Sequence, residues 1–359
     1  MEYRLADLGW NPVFAEAFAP FASEGKIPGR VTIPHRGVCW VFVEGGEVEA
    51  TVAGRLRRAP EGPIALPAAG DWVAMTPPTG SGRARIEAVL PRYSQFVRKA
   101  PGRNQEAQVV AANVDTAFVI TAVGRDLNLR RLERYLALAW ESGAQPVVVV
   151  TKSDLDETPE ATATAVASAA VGVPIHRVSG KNSDNLDALR PYLGHGHTVA
   201  FVGSSGVGKS TLINALLGEA RQKVAEVGVW GKGRHTTTQR ELIRMPGGGL
   251  LVDTPGMREL QIWDAADGIE ETFGDIDALA DGCRFGDCRH DAEPGCAVTA
   301  AVEAGVLDGA RLESFRKLAA EQRFQETKID RAAQAETKRV ARAMNKALRT
   351  HLDRKYERK

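Results

Sequence analysis

What the chain has little of narrows it first. Four cysteines in 359 residues, with Cys39 standing alone, are too few for a scaffold held by disulfides. No run approaches about 18 apolar residues, so nothing is expected to span a membrane as a helix. The first residues are neither basic nor followed by an apolar segment, so no signal peptide is expected, and the cytoplasm is the default location. Net charge is only +1, and its distribution says more than its sum. Residues 29–99 carry ten Lys/Arg against six Asp/Glu, and residues 337–359 nine against two, which leaves −10 on the remainder. Basic flanks around an acidic centre suggest a polyanionic partner gripped by the ends. The length leaves room for two or three domains.

The most informative stretch is Gly203-Ser204-Ser205-Gly206-Val207-Gly208-Lys209-Ser210, the pattern G-x-x-x-x-G-K-S followed by Thr211. It sits between an apolar run, Thr198 to Val202, and a helix-like run, Thr211 to Leu217. Glycines let successive N–H groups and a helix N-terminus face one anion. Lys209 can then reach the β- and γ-phosphates while the Ser210 hydroxyl ligates Mg²⁺. An ordinary Gly-rich turn is the plainer reading, and the strand and helix on either side argue against it.

Upstream, strand-like and helix-like runs alternate: Thr116–Ala122, Leu129–Trp140, Pro146–Val150, Ile175–Val178. That alternation implies a parallel sheet with its ligand at the strands' carboxyl ends. Thr151-Lys152-Ser153-Asp154 follows the second of these strands. Asp154 can accept from guanine N1–H and N2–H₂ together, a donor pair that adenine lacks. Leaving that carboxylate unpaired would reject ATP on the order of 10⁴-fold. Ser179-Gly180-Lys181 resembles the S-A-K segment whose backbone N–H meets guanine O6. Beyond the phosphate loop, Gly233-Arg234-His235-Thr236-Thr237-Thr238 offers threonines suited to sensing γ-phosphate and Mg²⁺, with Thr237 taken as the ligand. Asp253-Thr254-Pro255-Gly256 follows a strand, forty-three residues after Ser210. Asp253 would hold Mg²⁺ through water, and the Gly256 N–H would bond the γ-phosphate.

The ends have their own character. Residues 1–28 form an N-terminal helical extension, with Leu5, Leu8, Trp10, Phe14, Phe18 and Phe21 at roughly helical spacing. Residues 29–99 hold short β-rich runs at Arg30–Ile33, Val38–Val43, Val48–Val52, Trp72–Met75 and Arg83–Ala88, with a turn at Gly45-Gly46. Such strands suggest a small antiparallel barrel of the OB type. A face bearing Arg55, Arg57, Arg58, Arg83, Arg85, Trp40 and Trp72 would suit nucleic acid; buried tryptophans and a solvated arginine rim are the alternative. Polar residues 98–110 have the composition of a linker. Residues 100–275 are assigned to the nucleotide domain and 276–359 to a zinc-binding domain with a basic C-terminal helix. Cys283, Cys288, His290 and Cys296 supply three thiolates and one imidazole within fourteen residues, a closed structural zinc set. Residues 297–359 have helical composition, and 338–359 form a basic helix suited to rRNA.

The order of the motifs is unusual. In Ras-like GTPases the phosphate loop precedes the base motif, whereas here the base motif precedes the phosphate loop by some fifty residues. A parallel sheet tolerates that, because only the positions of the strand ends matter. The chain therefore resembles the circularly permuted ribosome-assembly GTPases, and within them the small-subunit-dependent GTPase A family (RsgA, also called YjeQ). G-x-G-R-H-T-T-T, Gly231 to Thr238, and D-T-P-G-M-R-E-L, Asp253 to Leu260, carry the resemblance most specifically. It implies an OB barrel, a permuted α/β GTPase and a zinc domain in one chain. It also implies GTP hydrolysis stimulated by the 30S subunit during its late maturation, with 16S rRNA as partner. No membrane partner and a monomer are expected. Two departures are visible: Thr151 replaces the usual Asn, and Gly180 the usual Ala.

Where Ras-like enzymes carry a water-positioning glutamine, this chain has Met257, which cannot orient water. Hydrolysis is therefore expected to be slow alone, with His235 the candidate to position water in cis and Lys209 and Thr237 acting on the transferred phosphate. A purely structural hydrogen bond from His235 is the alternative. Residues 257–263 lead almost directly into the zinc-ligand segment, so γ-phosphate loss is expected to reposition that domain. Other readings are an RNA-binding assembly chaperone with nucleotide as a passive switch, a permuted GTPase of the large subunit, and a P-loop ATPase or kinase.

Overall fold

The computed structural model describes residues 3–35, 37–59, 62–80, 82–99, 107–218, 241–253, 266–291, 293–324 and 327. His235 and the threonines at 236–238, Gly256, Met257, the segment 257–263 and the basic helix 338–359 lie outside the described residues.

Five strands close a barrel: β1 (Ile27–Pro34), β2 (Val38–Val43), β3 (Gly46–Val52), β4 (Trp72–Thr76) and β5 (Ala84–Val89), in the order β1-β2-β3-β5-β4. β3 and β5 run parallel and the other pairs antiparallel. The β2–β3 hairpin turns at Gly45, whose φ of +83° suits glycine. Alternate residues point inward, so Val31, Val41, Val73, Met75 and Ile86 fill the barrel. Trp72 is not on a binding face. It is fully buried, and the ring of Trp10 stands against it at 4.7 Å between centroids. The helix Pro12–Ala22 adds Phe14 and Phe18 to that cluster. The N-terminal rings Trp10 and Phe14 thus pack on Trp72 of the barrel, with Phe18 against Trp10.

Residues 98–110 are not simply a linker. β6 (Gln95–Lys99) and β7 (Ala107–Ala112) pair antiparallel. The apolar run Val109–Ala112 is buried, and Ala111 and Ala112 lie against Ala69 in the segment that leads into β4.

A six-stranded sheet follows, with β8 (Thr116–Ala122), β9 (Gln145–Thr151), β10 (Ile175–Arg177), β11 (Thr198–Gly203), β12 (Glu241–Arg244) and β13 (Leu250–Asp253). Its order is β10-β9-β8-β11-β13-β12, parallel except for β12. β11 stands between strands that precede it and strands that follow it, as a permuted chain requires. Continuous apolar runs form β8, β9 and β11 because helices or loops cover both faces.

Arg30 joins barrel to sheet. It is buried, and its guanidinium donates to the carbonyls of Leu8, Gly70 (3.2 Å) and Asn113 (2.9 Å) and to Thr198 Oγ1 (2.8 Å). Thr198 begins β11, so the barrel is tied to the strand that carries the phosphate loop. Helix Ala266–Thr272 and residues 309–324 pack against the helix Leu129–Glu141, and Gly274–Ala280 packs in turn against Ala266–Thr272 and Ala297–Glu303. Among the described residues no helix is long and apolar enough to cross a membrane.

Candidate functional site

Three loops, after β9, β10 and β11, meet at the carboxyl end of the sheet. β11 ends at Gly203, whose φ of +154° and 2.5 Å approach of a notional Cβ to the Ile120 carbonyl admit only glycine. Residues 204–208 then turn into the helix Lys209–Leu217, with Gly206 and Gly208 also at positive φ. The Lys209 ammonium donates to the Gly203 carbonyl at 2.6 Å and to the Ser204 carbonyl. Its head is thereby held over the turn, where the first helical N–H groups converge.

β9 ends at Thr151, and its register with β8 pairs Thr151 with Ala122 while β8 pairs Ile120 with Gly203. Thr151 is thus delivered against the phosphate loop. Its hydroxyl reaches the Val207 carbonyl, the contact expected of an asparagine amide. Lys152 turns out of the strand at φ +58° and pairs with Asp126 at 2.8 Å. The hydrogen bond from Lys152 holds the Asp126 carboxyl below its ordinary value. Asp154 accepts from the Ser179 hydroxyl at 2.6 Å, so the segments after β9 and β10 are joined. Ser179 Oγ also accepts from the Asn182 N–H at 3.2 Å.

Gly180 is more than a neutral substitute for Ala. A Cβ there would stand 3.2 Å from Leu212 Cα and N, tighter than an ordinary contact. Glycine therefore lets the third loop sit close on the helix that follows the phosphate loop. Asp253 ends β13, the strand beside β11.

Cys283, Cys288, His290 and Cys296 place their ligand atoms within 4.8 Å of one another. Cys283 Sγ lies 3.9 Å from Cys296 Sγ and 3.6 Å from His290 Nδ1, and Cys296 Sγ lies 3.5 Å from His290 Nδ1. A tetrahedral zinc with ordinary bond lengths needs about 3.8 Å between thiolates and about 3.6 Å from thiolate to imidazole. The set fits. Cys296 also caps the helix Ala297–Glu303, its sulfur accepting the Thr299 N–H at 3.4 Å. Burial raises the Cys296 thiol, but hydrogen bonds from Thr299 and His290 outweigh it and bring it to about 6.

The arginines of the barrel are less available than their exposure suggests. Arg85 and Arg55 pair with Glu87 at 2.6 and 3.3 Å, and Arg83 pairs with Glu49 at 2.6 Å. Sequence spacing also missed Arg131, whose guanidinium meets the phosphate loop, and Arg311, which is buried between Glu133 and Asp275. No local motif marks either one.

The RsgA GTPase family model matches residues 89–263. An ABC transporter model matches residues 186–354, a span that includes the phosphate loop but not Thr151–Asp154. The chain is 48% identical over 336 residues to the small ribosomal subunit biogenesis GTPase RsgA of Opitutus terrae, covering 91% of this chain and 92% of that one. It is 46% identical to the protein of that name from Streptomyces coelicolor, covering 93% and 91%. Among solved structures, YjeQ from Thermotoga maritima superposes with a TM-score of 0.61 at 28% identity, over 83% of this chain and 98% of that one. YloQ, described as a circularly permuted GTPase, gives 0.61 at 26%, over 84% and 96%. Relatives of this length and identity decide against the transporter.

Proposed function

The chain belongs to the RsgA GTPase family and hydrolyses GTP, and on that premise we propose that it binds the small (30S) ribosomal subunit, is stimulated by it, and acts in its late maturation. The observation that carries this reading is the assembly in one chain of the permuted GTPase sheet, a closed barrel and a Cys₃His cluster. Relatives that span almost the same length bear names of small-subunit biogenesis.

In this reading Lys152 and Asp154 select guanine, with Thr151, Ser153, Ser179 and Gly180 shaping the base pocket. Residues 203–211 wrap the phosphates, and Lys209 faces the β- and γ-phosphates. Mg²⁺ would be held by Ser210, Thr237 and, through water, Asp253, and the Gly256 N–H would meet the γ-phosphate. Magnesium neutralises charge that develops on the transferred phosphoryl group. His235 positions the attacking water in place of the missing glutamine. Zinc at Cys283, Cys288, His290 and Cys296 is structural, because four protein ligands leave no open position.

The working domains are the extension 1–28, the barrel 29–99, the GTPase 100–275 and the zinc-binding unit 276–359. The basic helix 338–359, with Arg57 and Arg58 of the barrel, faces 16S rRNA. The protein acts as a cytoplasmic monomer. Hydrolysis of GTP beside ATP, with and without purified 30S and 50S subunits, tests the whole reading. Stimulation of GTP turnover by 30S alone is expected. Equal stimulation by 50S would point to the large subunit, and 30S binding without any stimulation to a chaperone with a passive nucleotide.

A further inference from the structure

Ser204 is gripped from two sides. Its carbonyl receives the Lys209 ammonium, and its hydroxyl oxygen accepts from Arg131 Nη1 at 3.0 Å. Arg131 belongs to the helix Leu129–Glu141, whose start is set by Asn128: the Asn128 Oδ1 accepts the Arg131 N–H at 2.9 Å. Both the backbone and the side chain of Arg131 are therefore placed by specific bonds.

The helix is itself immobilised from behind. Arg130 pairs with Glu313 at 2.8 Å and Arg134 with Glu321 at 2.8 Å. Glu133 is buried and pairs with Arg311 at 3.0 Å, and Arg311 in turn holds Asp275 at 2.6 Å. Gly268 lies so close to the same helix that a Cβ would stand 2.1 Å from the Ala137 carbonyl. Backbone meets backbone there, a contact that leaves little room for the helix to shift. Asp126 sits between Lys152, 2.8 Å away, and Arg131, and both cations lower its pKa.

We infer that Arg131 is a positioning residue for GTP hydrolysis: by holding Ser204 against a fixed helix it fixes the carbonyl on which Lys209 rests. An ammonium on a four-carbon stem has many rotamers, and its aim depends on what its other N–H groups bond. Two loop carbonyls supply that aim, and one of them belongs to the residue that Arg131 holds. The inference rests on reading Lys209 as the lysine that meets the β- and γ-phosphates. It gives the C-terminal helices a second task, since they brace the helix that carries Arg131.

The test uses the full chain and GTP, with Arg131→Gln, Ser204→Ala, their double variant, Arg131→Lys and, as a control, Lys209→Ala. Turnover, KM and thermal midpoint are measured for each. Arg131→Gln and Ser204→Ala should each lower kcat about tenfold, the scale of one hydrogen bond from a charged donor, with a smaller change in KM. The double variant should lose no more than the worse single, because both remove one interaction. Arg131→Lys, which keeps a cationic donor, should recover part of the loss. Multiplicative losses in the double variant, a loss that follows the thermal midpoint, or unchanged turnover in Arg131→Gln would each overturn the inference. If Lys209→Ala itself left turnover intact, the reading of Lys209 would be the part that failed.

Discussion

The Thr151 hydroxyl reaches the Val207 carbonyl across fifty-six residues of chain. It lies 3.1 Å from the Thr121 carbonyl as well, and a single hydroxyl proton serves one acceptor at a time. The Val207 contact is the shorter. The base motif and the phosphate loop are thus braced by a threonine hydroxyl, which makes the bond that the N-K-x-D pattern would give to an asparagine amide.

Thr151→Val keeps the shape and removes the donor. One net hydrogen bond is worth about 0.5–1.5 kcal/mol, so GDP and GTP affinity should fall about two- to twelvefold. Titration with a fluorescent guanine nucleotide measures it. Unchanged affinity would mean the brace does not bear on the ligand.

Asp154→Asn replaces an acceptor by an amide that can donate where guanine also donates. Affinity for GTP should fall on the order of 10²–10⁴-fold. Xanthosine triphosphate, which carries a carbonyl in place of the guanine amino group, should bind better to the variant than to the parent. Competition between the two nucleotides reads this directly, and no change in preference would remove Asp154 from the base site.

His235→Ala tests the water-positioning assignment, on a residue outside those the structure describes. Stimulated turnover should drop about 10²–10⁴-fold with GTP binding unchanged. A variant that binds GTP normally and keeps full 30S-stimulated turnover would refute the role.

Cys296→Ala should release the metal and uncap the helix Ala297–Glu303 together. One equivalent of zinc by atomic absorption in the parent, and much less in the variant, is the expected result. The C-terminal unit should melt earlier while nucleotide binding persists. A parent without zinc would contradict the cluster's assignment.

The barrel should show an acid limb set by Glu87. Burial raises its pKa, but hydrogen bonds from Arg85 and Thr76 outweigh that and hold it below the ordinary 4.5. A carboxylate depressed in the folded state adds stability above its unfolded pKa, and that stability is lost as pH falls through the lower folded value. Glu87→Gln should therefore flatten the fall in thermal midpoint between about pH 5 and 3. An unchanged slope would place the acid sensitivity elsewhere.

The family and fold of this protein were legible in the chain because its motifs are short contiguous patterns. Residues 203–210, Thr151 to Asp154 and the Cys₃His spacing each bring their atoms together within one turn or loop, so spacing alone determines what they can hold. The order of those patterns also determined the permutation, since strand ends are interchangeable in a parallel sheet. Tertiary structure alone decided what supports them. Trp72 and the barrel arginines looked alike as binding candidates, yet packing buried the tryptophan and Glu87 and Glu49 claimed three arginines. Arg30, Arg131 and Arg311 carry no motif, and their partners lie up to 178 residues away. Local spacing cannot specify such pairs, because a long side chain on a helix or strand takes its partner from whichever element the fold brings alongside.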